Sequence, residues 1–152
     1  MKIINKIIQD LLIVETKRIE DKRGVFNKPW VIDDFKKFFE INYETYITTT
    51  KSGVLRGLHY QKSPYLQKKL IYCLSGEIKD LIVDLRPESS TYGLSEIIDL
   101  SENDNYTVIV PEGCAHGILS ITDSIYLSCS NNKYSADDEC LRENNRTKEG
   151  SN

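Results

Sequence analysis

Hydrophobic and polar residues alternate along most of this chain with a period of two, and only briefly with the spacing of a helix. The run LLIVETKRIED (residues 11–21) predicts one strand, DKRG (21–24) a turn, and VFNKPW (25–30) a short strand ending at Pro29. IDDFKKFFEI (32–41) is the best helical candidate: Phe35, Phe38 and Phe39 fall at helical spacing as core residues, and Asp33 is placed to cap. YETYITTT (43–50) returns to strand character, being rich in aromatic and β-branched residues. Then come VLRGLHYQ, KKLIYCLSG, EIKDLIVDLR, SEIIDLSEN, NYTVIVPEG, HGILSIT and SIYLSCSN, each a short strand bounded by Gly, Pro, Ser, Asn or Asp. Many short strands at this spacing predict an all-β sandwich or barrel with one or two short helices.

Composition narrows the class. The 152 residues suit a single domain over residues 1–142, with 143–152 a polar, apolar-poor tail. With 20 basic and 23 acidic residues, the net charge of -3 argues against a nucleic-acid binder, while leaving room for a local basic cleft. No apolar run approaches the ~18 residues needed to span a bilayer, and no signal peptide is evident, so a cytoplasmic protein without membrane contact is expected. Cys73, Cys114, Cys129 and Cys140 are widely spaced with no CxxC pair, which fits reduced thiols better than a zinc or redox site.

The candidate chemistry centres on the chain's two histidines, His59 in RGLHYQ and His116 in PEGCAHG. A lone histidine is more often a structural hydrogen-bonding residue. Two in comparable strand-edge contexts suit a small β-barrel, which brings distant strands together around one cavity. In a regular strand Leu55, Gly57, His59 and Gln61 share one face and Arg56 takes the other; a bend at Gly57 would bring Arg56 and His59 into one cleft. Solvent is the default surrounding for a lysine, yet alternation with Leu70 and Tyr72 offers Lys69, not Lys68, an inward position. Asp84 closes a largely apolar strand, either to start a turn or to orient a histidine. Tyr134, in NNKYSADDE, is either a cover for the core edge or a phenolic acid.

Taken in order, LIVETKRIEDKRGVF (12–26), GVLRGLHYQ (53–61), QKKLIYCLSGEIKDLIVDLR (67–86), STYG (90–93), LSENDNYTVIVPEGCAHGILSI (100–121) and YSADDE (134–139) resemble the dTDP-4-dehydrorhamnose 3,5-epimerases. The resemblance implies a cupin-type jelly roll, a homodimer with exchanged N-terminal strands, and no metal or organic cofactor. It implies a nucleoside-diphosphate 4-keto-6-deoxy sugar as substrate, epimerised at C3 and C5 for cell-surface polysaccharide synthesis. The roles it implies are His59 as base, Lys69 as stabiliser of the enolate and Tyr134 as acid. Arg56 would hold the diphosphate, His116 and Asp84 would line the sugar pocket, and Gln61 and Glu139 would line or brace it. Arg23 would act across the dimer interface.

The chain departs from the family pattern in three places. Lys28 stands where a glutamate is usual, and Glu44-Thr45-Tyr46 replaces Gln-Asp-Asn. A further C-terminal portion, with an aspartate that pairs with the catalytic histidine, has no counterpart in this sequence. Alternatives are a mono-epimerase or 3,4-ketoisomerase using the same enolate logic, a metal-dependent cupin, and a sugar-nucleotide-binding protein without turnover. His59-Tyr60-Gln61 lacks the paired histidines that a metal cupin places there.

Overall fold

The computed structural model describes residues 1–40 and 43–136 together with the backbone of 139–141. Residues 143–152, expected to form a polar tail, lie outside the described residues. The strands are β1 (Lys2–Asn5), β2 (Leu12–Glu15), β3 (Lys17–Asp21), β4 (Gly24–Lys28), β5 (Glu44–Thr50), β6 (Leu55–Gln61) and β7 (Lys69–Ser75). They continue as β8 (Glu77–Asp84), β9 (Ser95–Ser101), β10 (Tyr106–Val110), β11 (Cys114–Ser120), β12 (Ser124–Ser130) and β13 (Glu139–Leu141). Two antiparallel sheets, ordered β1-β2-β10-β7-β12-β5 and β13-β6-β11-β8-β9, face each other, with the β3–β4 hairpin apart from both. This is the jelly-roll sandwich that the alternation and the resemblance imply.

Two details differ from the sequence pattern. LLIVETKRIED is not one strand. At Thr16 both the backbone N–H and the hydroxyl donate to the Asn105 carbonyl, while the Asn105 amide donates back to Thr16. That clasp ends β2 in the large sheet and releases β3 into the hairpin. The helical segment shrinks to α1 (Ile32–Phe35), with Val31 at its N-cap and no side-chain cap. Asp33 sits inside the first turn, where it accepts from Lys36 across 3.2 Å.

Ile13, Ile71, Cys73, Val108 and Val110 from the large sheet meet Ile78, Ile82, Ile98, Leu100 and Ile118 from the small one. On the outer face of the large sheet, Val14, Leu70, Ile109 and Cys129 are covered by Phe35 and Phe39, flanked by Trp30 and Phe38. The central strands β7 and β10 of the large sheet are therefore buried on both faces, which is why LIYC and TVIV read as nearly continuous apolar runs. Burial is worth on the order of 1.5–3 kcal/mol per large side chain, so these two clusters supply much of the stability. The space between the sheets that they leave unfilled is free to hold polar groups.

Candidate active site

Where β5, β12 and β7 face β6 and β11, the apolar packing gives way to a cavity of about 460 Å³. Arg56, His59, Gln61, Lys69, His116 and Tyr134 all line it.

The two histidines stand directly opposite each other in the β6–β11 ladder. Beyond that pair the register shifts: two steps along β11, from His116 to Ile118, match three along β6, from His59 to Arg56. The extra residue is a bulge in β6, and it moves the pleat by one position. Arg56 and His59 would point oppositely in a regular strand; here both line the cavity. Gly57 occupies the bulge at φ +106°, a conformation that favours glycine. A Cβ there would lie 2.8 Å from both the Gly117 Cα and the His116 carbonyl oxygen. Arg56 is steadied by donating from Nε to the Thr50 hydroxyl at 2.8 Å.

Adjacent lysines separate by the same pleat. Lys69 shares the inward phase of Ile71 and Cys73 and reaches the cavity. Lys68 points to the outer layer and donates from Nζ to the Phe38 carbonyl at 2.8 Å.

His116 is buried, and its Nδ1 lies 3.2 Å from Asp80 Oδ1. Burial holds its pKa below the ordinary histidine value, aided by the charge of Lys69; Asp80 pulls the other way without prevailing. Tyr134 lies on the cavity rim, half exposed, in the loop after β12. Gln61 fixes that loop. Its amide donates to the carbonyls of Tyr65 and Lys133 and accepts from the Ser135 N–H, so both ends of the side chain serve as a brace. Asn132 ties the same loop to the segment before β7 through the carbonyls of Pro64 and Leu66.

Asp84 orients no histidine. Its carboxylate accepts from the Arg86 backbone and guanidinium and from the hydroxyls of Ser89 and Thr91. Burial pushes this carboxyl up, but those donors outweigh it and hold the pKa well below the carboxylate range. The carboxylate beside a histidine is Asp80, one of the residues that sequence reasoning missed. Arg23 lies at the tip of the β3–β4 hairpin, exposed, paired with Asp21 at 2.6 Å and away from the cavity. Glu139 pairs with Gln61 through β13; its side chain lies outside the described residues. Tyr126 and Ser128 also line the cavity. Their signal is the alternation of SIYLSCS, which sets both inward.

Cys114 is inert: burial pushes its thiol up to about 12. Among the described residues, no three His, Cys, Asp or Glu side chains gather as a metal site. No helix among them is long and apolar enough to cross a membrane.

A family model described as dTDP-4-dehydrorhamnose 3,5-epimerase matches residues 5–148. A dTDP-4-dehydrorhamnose 3,5-epimerase of Shigella flexneri is 38% identical over 140 residues, covering 89% of this chain and 77% of its own. Among solved structures, the dTDP-4-dehydrorhamnose 3,5-epimerase of Bacillus anthracis, with TDP and PPi bound, superposes with a TM-score of 0.87 at 30% identity, covering 95% of this chain and 85% of its own. The dTDP-6-deoxy-D-glucose-3,5-epimerase of Legionella pneumophila, in complex with dTDP-4-keto-L-rhamnose, gives 0.86 at 31%, covering 92% and 76%.

Proposed function

The chain belongs to the dTDP-4-dehydrorhamnose 3,5-epimerase family, and from that premise we propose that it epimerises a dTDP-4-keto-6-deoxy sugar at C3 and C5. The substrate's ketone acidifies the C–H bonds on either side, so the reaction carries its own electron sink. His59 removes the proton as a general base held in the cavity wall. The C4 oxygen becomes an enolate, and the Lys69 ammonium stabilises that charge inside the cavity, where a fixed charge is worth most. Tyr134 returns a proton to the opposite face, which inverts the carbon. Arg56 binds the diphosphate through charge-assisted hydrogen bonds. His116 lines the sugar end, while Gln61 and Glu139 brace it. The observation that carries this reading is the convergence of His59, Lys69 and Tyr134 on one cavity from three separate stretches of chain.

The active unit is a homodimer that exchanges N-terminal strands, so that Arg23 completes the neighbouring site. The β3–β4 hairpin, a sheet of its own with Ile19, Val25 and Phe26 exposed on it, supports this arrangement. Residues 1–142 form the catalytic domain. The cytoplasm suits both the nucleotide-sugar substrate and the free thiols of Cys73, Cys114 and Cys129.

Solvent exchange tests the reaction. In heavy water with a dTDP-4-keto-6-deoxy sugar, NMR is expected to show deuterium entering at both C3 and C5. Deuterium at one carbon alone indicates a mono-epimerase. No deuterium, beside an active control enzyme, means a binding protein and overturns the proposal.

A further inference from the structure

Strand β8 buries every second residue: Ile78, Asp80, Ile82 and Asp84. Asp80 is fully buried between two isoleucines on a face that contributes to the apolar core. A carboxylate placed there carries a heavy desolvation penalty unless its partners offset it. The cost is not offset in the ordinary way. Among the described residues the hydrogen-bonding side chain given to Asp80 is His116, and its second oxygen, Oδ2, has no partner. The fold alone gives no reason for such a group, since isoleucine serves at the neighbouring inward positions. His116, its partner, lines the cavity opposite His59.

We propose that Asp80 is a positioning residue: it fixes His116 as the Nδ1–H tautomer, which leaves a bare Nε2 to accept a hydrogen bond from a hydroxyl of the sugar. As a carboxylate, Asp80 can only accept, so the ring hydrogen must sit on Nδ1. The groups facing His116 agree with a ring carrying one hydrogen. Lys69 on β7 and His59 on β6 both oppose its protonation, as does burial, and Asp80 on β8 alone favours it. The cavity then has a fixed polarity: Lys69 donates and His116 accepts. A 4-keto sugar matches this in one orientation, with its ketone toward Lys69 and a hydroxyl toward His116. Turned round, the ketone would set its lone pairs against the bare Nε2. The geometry thereby selects a hydroxyl-bearing carbon beside the ketone and holds the sugar in register with His59. This inference rests on the proposed reaction for its substrate, but not for the state of the ring.

Nitrogen-15 NMR of the wild-type protein at neutral pH reads the ring state directly and needs neither a variant nor a substrate. The expected result is a protonated Nδ1 and a bare Nε2 for His116. Asp80→Asn offers the ring both a donor and an acceptor, so mixed tautomers are expected, with exchange slowed about 10- to 100-fold. In a His116→Gln background, Asp80→Asn is expected to slow exchange by less than about threefold more, because the two residues act as one unit. A proton on Nε2 in the wild type overturns the proposal. So does an unchanged tautomer in Asp80→Asn, or an equal loss of rate in both backgrounds. A protein inactive on every 4-keto sugar but showing the expected tautomer would defeat the reaction while leaving the ring assignment standing.

Discussion

Asp80 and Asp84 occupy the same buried face of one strand, and they serve opposite ends of the molecule's logic. Asp84 closes a saturated knot: Arg86, Ser89 and Thr91 all donate to it, and Arg86 reaches on to Asp10 and the Gln9 carbonyl. The knot joins the loop after β8 to the loop between β1 and β2, and none of its members lines the cavity. Asp80 has one histidine as its described side-chain partner, and that histidine faces the cavity. A fully satisfied buried charge holds shape, whereas a sparsely satisfied one beside a cavity controls a neighbour's chemistry. Identical burial and identical strand phase therefore say nothing about role until the donors are counted.

The sharpest test on the cavity side is His59→Ala. Loss of the proposed base is expected to slow deuterium exchange by about 10³-fold or more, with thermal stability nearly unchanged. Unaltered exchange would move the base elsewhere. On the structural side, Asp84→Ala leaves Arg86 half-paired and should destabilise the fold by about 3–5 kcal/mol, measured by urea unfolding. Its activity per folded molecule should survive. Because the Asp84 pKa is lower in the folded state, its stabilisation is fully present above the ordinary carboxylate pKa of ~3.9. It is lost as pH falls below that value toward the folded one, so the variant should show a flatter acid-unfolding curve. If Asp84→Ala instead stays stable and loses turnover, the division of labour between the two aspartates is wrong. A smaller contrast separates the lysines. Lys69→Met is expected to cost about 10²-fold in exchange, as the removal of an oxyanion partner does. Lys68→Met should leave exchange intact and lower stability by about 1 kcal/mol, the value of its hydrogen bond to Phe38. The smallest effect is expected from Arg23→Ala mixed with His59→Ala. If sites are shared, the mixed dimers should recover a fraction of wild-type exchange that neither variant shows alone.

Much of this was legible where the pleat is regular. Lys69 could be set inward by counting from Leu70 and Tyr72, and the short strands gave the sandwich. Arg56 and His59 resisted because a bulge changes phase without leaving a pattern, although Gly57 marks the spot. Asp80 and Asp84 look alike in EIKDLIVD. What separates them is sequence distance to their partners. The side chains that saturate Asp84 lie within seven residues, in DLRPESST, and could have been read as a loop knot. The partner of Asp80 lies 36 residues away, across a strand pairing that only the folded ladder reveals. Thr16 is a similar case: the break in LLIVETKRIED depends on Asn105, 89 positions later.

The bulge at Gly57 also limits how this site can be moved. The pentapeptide LRGLH, grafted into a regular strand of another sandwich, would send its arginine to one face and its histidine to the other. To keep both in one pocket, the recipient must accept an extra residue in that strand and a glycine facing it where Gly117 stands here, because a Cβ on Gly117 would lie 2.9 Å from the Arg56 carbonyl oxygen. The transferable unit is thus a two-strand frame, and a single-residue insertion or deletion between Arg56 and His59 would take it apart as surely as loss of either side chain.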